Sequence, residues 1–119
     1  MFEKEANKLV RKKLWRHYKK HDLKVYLVDG NYVRNNVSVS YGIGGHHWGY
    51  SFIPKNEIWL EKTLAPSERK FILLHELYER KRMRDSKWNF LTAHEGATMS
   101  EQYARQHPSN IESKLKALI

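Results

Sequence analysis

Cysteine is missing from the 119 residues, and its absence excludes disulfides, thiolate-ligated zinc, iron–sulfur clusters and thiol catalysis. Any metal must then be held by histidine, aspartate, glutamate or water. Seven histidines keep that option open. No apolar run approaches the ~18 residues a membrane span needs, so no membrane partner is expected. The opening stretch MFEKEANKLVRKK is charged where a secretory signal has its apolar core, which makes an intracellular location the expectation. Proline and glycine are sparse, at three and six residues, and neither a low-complexity linker nor an internal repeat is present. Acidic residues are also in short supply. Thirteen stand against 22 Lys and Arg, for a formal charge of +9. Such a charge favours salt-dependent contact with nucleic acid or another polyanion, or simply marks a well-solvated surface. Hydrophobic residues make up 40%, enough for one modest core, so residues 1–119 read as a single domain.

The pattern along the chain predicts an α+β fold. Phe2, Ala6, Leu9, Val10, Leu14, His17 and Tyr18 recur at helical spacing, predicting a basic amphipathic helix over residues 1–22. Residues 23–61 alternate instead. Leu23–Val28, Val37–Tyr41, Trp48–Phe52 and Glu57–Glu61 read as strands, with Asp29-Gly30 as a turn. The links are too short for parallel crossovers, so a small, mostly antiparallel sheet of three to four strands is expected. Pro66 opens a helix over residues 66–84. Asn89, or Thr92 with Glu95, caps a second helix over 89–107, and a short third helix occupies 109–119. The short connection after Arg84 makes the first two of these helices antiparallel neighbours.

The stretch Phe71-Ile72-Leu73-Leu74-His75-Glu76-Leu77-Tyr78-Glu79 carries the chemistry. His75 and Glu79 are four apart, so they share one helix face and can converge on one cation. Glu76 is offset from His75 by about 100° around the axis and can serve as a general base without being a ligand. This is the logic of HExxH, with glutamate in place of the second histidine. On the next helix, Phe90, Ala93, Ala97 and Ala104 form a narrow apolar stripe that also carries His94 and Glu101. Two titratable groups on a core-facing stripe need partners. Two arrangements satisfy them. In one, His75, Glu79 and His94 ligate zinc or another divalent transition metal, with Glu101 as a supporting partner or fourth ligand. In the other, the same groups form a metal-free polar cluster. From Gly44-Gly45-His46-His47-Trp48-Gly49, His46 is a further candidate for the site. His17, His21 and His107 read as surface residues.

The runs Ile53–Glu61, Glu68–Leu77 and Ala93-His94-Glu95 resemble a group of small uncharacterised proteins that carry a Gly-Gly-His loop, an HExxER helix and an Ala-His-Glu helix. More widely, Glu57–Leu77 is similar in order and spacing to the minimal zincin core of ImmA/IrrE-type metallopeptidases. That resemblance implies a zincin-like fold, His75 as a zinc ligand, Glu76 as general base, and Glu79 where the second histidine ligand usually stands. It also implies that Glu57–Glu61 is an edge strand pairing an extended peptide or protein substrate.

Three functions follow as expectations. The first is a metal-dependent hydrolase acting on peptide bonds. The second is a basic nucleic-acid-binding protein, or a metal-dependent nuclease, contacting phosphates through Lys12, Arg16, Lys19, Lys20, Arg80 and Arg82. The third is a metal-stabilised interaction domain without catalysis.

Overall fold

A computed structural model describes residues 13–20 and 22–119. The chain divides between Leu64 and Ala65 into two compact units.

The first unit is built on a four-stranded sheet of β1 (Lys13–Lys20), β2 (Leu23–Val28), β3 (Gly44–His46) and β4 (Glu57–Glu61) in the order β1-β2-β4-β3. The expected N-terminal helix is not formed over its second half, because residues 13–20 are a strand. Its first half, residues 2–12, lies outside the described residues. Helical spacing alone cannot see a partner strand. Lys20 pairs with Leu23 and Lys13 with Leu27, so a tight antiparallel hairpin satisfies this backbone instead.

Among the described residues two of the three strand pairings are antiparallel, but β2 and β4 run parallel, from Lys24 beside Glu57 to Val28 beside Glu61. The crossover between them contains a helix, α1 (Gly30–Asn36), where Asp29-Gly30 predicts only a turn. Asp29 initiates it, its side chain accepting a hydrogen bond from the Tyr32 amide at 3.2 Å. Neither expected strand in the crossover forms. Tyr41 closes a turn onto Ser38, while the amides of Gly49 and Tyr50 both donate to the His46 carbonyl. The alternating aromatics that suggested strands instead fill a core. Val28, Val33, Tyr41, Ile53 and Trp59 are buried, with Tyr50 and Phe52 packed against them. Gly45 admits the Tyr50 ring and Ile53, which would stand 2.8 and 2.9 Å from a β-carbon there.

β4 is an interior strand between β2 and β3, which corrects the expectation of an edge strand. All five of its residues are buried. The glutamates at its ends are satisfied locally. Glu57 accepts from the Trp59 indole at 2.9 Å, and Glu61 accepts from the Gly30 amide at 3.0 Å. A methyl group on Gly30 would collide with that same Glu61 oxygen. Gly30→Ala is therefore expected to expel the carboxylate and lose its hydrogen bond. The cost should be about 1–3 kcal/mol in urea unfolding.

The second unit is helical: α2 (Pro66–Asp85), α3 (Phe90–Gln106), a 3₁₀ turn (Pro108–Asn110) and α4 (Ile111–Leu118). These bounds lie within about a residue or two of the expected ones. Pro66 stands in the first turn of α2, and Asn89, not Thr92, caps α3 by accepting from the Thr92 amide at 2.9 Å. The helices α2 and α3 are antiparallel. His94, near the start of α3, meets Glu79, whereas Arg105 near its end meets Glu68. Ala93, Ala97 and Ala104 are fully buried, and Gly96 lies directly against the Tyr78 ring. The small stripe thus brings the two backbones close enough for short polar side chains to bridge them. No helix among the described residues is long and apolar enough to cross a membrane.

Candidate metal centre

One turn of α2 places His75 and Glu79 on the same face, and α3 brings His94 and Glu101 opposite them. Three atoms converge. His75 Nε2 is 3.2 Å from His94 Nδ1 and 3.3 Å from Glu79 Oε2, and His94 Nδ1 is 2.9 Å from Glu79 Oε2. Tetrahedral ligands at about 2.0–2.1 Å from a zinc ion stand about 3.3 Å apart. The triangle is at most a few tenths of an ångström tighter than that, so small side-chain adjustments bring all three atoms to bonding distance.

Glu101 stands behind this triangle. Its Oε1 lies 3.0 Å from His75 Nδ1. An ionised carboxylate only accepts hydrogen bonds, so it favours the His75 tautomer with the proton on Nδ1 and the lone pair on Nε2, facing Glu79 and His94. Burial is graded across the group. The Glu79 side chain is 4% exposed and that of His75 12%, while that of His94 is 48% exposed and stacks on Phe90 at 5.3 Å. The triad is closed on the α2 side and open beside His94.

The charges within the unit are unbalanced. Burial pushes Glu76 up to about 8, and the nearby carboxylates of Glu79 and Glu101 add to this more than the His75 cation relieves it. At His75 burial opposes the charged ring, but the hydrogen bond to Glu79 and the charges of Glu76, Glu79 and Glu101 prevail, so its pKa is raised. Three carboxylates around one imidazole stabilise added positive charge, whether a proton or a metal cation.

His46, a further candidate, closes β3 in the first unit and is buried, its Nδ1 accepting from the Gly49 amide at 3.3 Å. Arg80 is buried, with its pKa lowered to about 10 by burial and by Arg84, so it is no exposed phosphate contact. Arg82 lies over the rings of Tyr78 and Trp88, at 5.2 and 5.1 Å. Arg16, Lys19 and Lys20 belong to β1 rather than to a helical basic face; their side chains, like Lys12, lie outside the described residues. Sequence reasoning missed Arg105. It donates through Nε to Glu101 at 2.9 Å and pairs with Glu68 at 2.8 Å. Only the Glu101–Arg105 spacing of four residues signalled this contact.

Comparison with protein-family models, with curated proteins and with solved structures gives no match. The class rests on fold and site alone: an α+β chain with a His/Glu group of a kind that can hold a metal ion.

Proposed function

We propose that this protein is a metal-dependent hydrolase, with a peptide bond as its target. The observation that carries the reading is the convergence of His75 Nε2, Glu79 Oε2 and His94 Nδ1 within 3.3 Å of one another. Two nitrogens and one carboxylate oxygen form a donor set suited to zinc, and the half-exposed His94 side leaves room for water and substrate. A divalent ion supplies Lewis acidity, polarising a carbonyl and acidifying water. Glu76, one residue from His75, takes the proton of the attacking water and passes it to the departing amine. The choice of a peptide bond comes from the resemblance of Glu57–Leu77 to the zincin core.

The test begins with protein stripped by a chelator and reloaded with zinc. It should take up about one ion per chain and generate new termini in an unstructured protein such as casein, read by mass spectrometry. Cleavage should stop on chelation and return with zinc. Absence of uptake in equilibrium dialysis overturns the metal centre, and uptake without cleavage across a peptide library overturns the hydrolase.

A further inference from the structure

We propose that Glu101, gripped by Arg105, is the positioning residue of this centre: it holds the His75 proton on Nδ1, turns Nε2 towards Glu79 and His94, and so sets how tightly the site takes a divalent transition metal. This inference rests on the metal centre proposed above.

Both oxygens of Glu101 are engaged, Oε1 with His75 Nδ1 at 3.0 Å and Oε2 with Arg105 Nε at 2.9 Å. The carboxylate therefore sits on the edge of the imidazole opposite Nε2. It would have to break both contacts to become a ligand, which settles its role as support. Arg105 is itself held at two further points. A terminal nitrogen lies 2.8 Å from Glu68 Oε2, and the guanidinium lies over the Phe71 ring at 4.7 Å. Glu68, Phe71 and His75 all belong to α2, so the path leaves that helix, crosses to Glu101 and Arg105 on α3, and returns. A glutamate with three free rotors would hold an imidazole poorly. One anchored through a planar, multiply bonded guanidinium holds it in a single orientation. Carboxylate support of this kind makes a histidine a stronger donor, and its loss commonly costs 10–100-fold in metal affinity.

Cobalt(II) titration of the full chain, followed by visible absorption, tests this. Glu101→Leu should bind cobalt about 10–100-fold more weakly and with shifted absorption bands. Glu101→Gln should fall between, since an amide oxygen still accepts from Nδ1 but without charge. Arg105→Met keeps an unbranched apolar stem but removes the guanidinium and frees Glu101, so it should weaken binding several-fold. A purely structural role would lower the metal-free unfolding midpoint and leave the cobalt bands unmoved; that result overturns the inference. Wild-type affinity in Glu101→Leu also overturns it while the metal centre stands. A wild-type chain that takes up no cobalt overturns both. Should Glu101→Leu fail to fold, Glu101→Gln decides: a graded loss with shifted bands supports the inference, and unchanged binding overturns it.

Discussion

Zinc added to the metal-free protein is expected to raise its resistance to unfolding, and Glu79→Gln is expected to abolish most of the gain. A ligand that binds only the folded state stabilises it by RT ln(1 + [L]/Kd), about 4 kcal/mol when free zinc exceeds Kd a thousandfold. Glu79 is the residue whose loss should matter most. It is the most deeply buried member of the triad, and one of its oxygens faces both imidazoles, at 2.9 Å from His94 and 3.3 Å from His75. Glutamine has nearly the same shape but no charge, so packing is preserved while the only anionic ligand is lost. Affinity should fall by more than about 100-fold, the upper end of what a merely supporting residue costs. At the same zinc concentration the remaining stabilisation is then at most ~1.4 kcal/mol. Removing this charge relieves the crowding of Glu76 but also weakens the contacts to His75 and His94, so the zinc-dependent gain is taken against each variant's own metal-free stability. Urea unfolding with and without zinc measures both quantities. Equal zinc stabilisation of the variant and the wild type would place the ion elsewhere.

Most of this site was legible in the sequence, because helices translate spacing into geometry. His75 and Glu79 could be paired from four-residue spacing alone. His94 and Glu101 stood out as titratable groups on a stripe of alanines, which the structure shows to be buried against α2. What spacing could not supply was the choice of atoms. That His75 turns Nδ1 to Glu101 and Nε2 to Glu79 depends on how far each side chain reaches across the helix pair. Arg105 was hidden for the same reason, since its partners Glu101 and Glu68 come from different helices. The sheet was less legible because strand pairing is non-local. The repeat through Leu14 and Tyr18 is compatible with a helix until β2 offers its edge, and then hydrogen bonding to Leu23–Val28 prevails. Asp29-Gly30 is a turn signal that also suits a helix start, and only Glu61, 31 residues on, shows which was used. The alternation of Tyr50 and Phe52 marks partial burial correctly but mistakes its backbone, because turns can also deliver successive rings to one core.

In the metal-free protein, stability should fall as pH rises from about 4.5 towards 8, and Glu76→Gln should flatten much of that slope. Glu76 is 7% exposed, and its pKa rises from an ordinary 4.5 to about 8. Between these values the folded chain keeps a proton that the unfolded chain has released, so each added pH unit favours unfolding. The contribution is fully present below about 4.5, where both states are protonated, and is gone above about 8, where both are ionised. Over the whole window it amounts to about 5 kcal/mol in order of magnitude. His75 adds a slope of the same sign at higher pH. Its folded pKa is also raised, so its stabilisation is complete below about 6.5 and is lost as pH passes through the raised value. Glutamine at position 76 stays neutral throughout, leaving only the His75 part. A bound dication inverts this balance, because positive charge beside Glu76 favours its ionised form. Zinc-saturated wild type should therefore lose most of the slope, and zinc uptake at pH 7 should release protons, measurable by calorimetry in buffers of different ionisation enthalpy. That ionised Glu76 is the form able to accept a proton from water. Glu76→Gln should accordingly retain zinc while peptide hydrolysis falls by about 10²–10⁴-fold. A variant that keeps zinc and cleaves at the wild-type rate would remove Glu76 from the chemistry. Unfolding curves of metal-free wild type that do not change between pH 5 and 8 would remove the strained carboxylate on which this role depends.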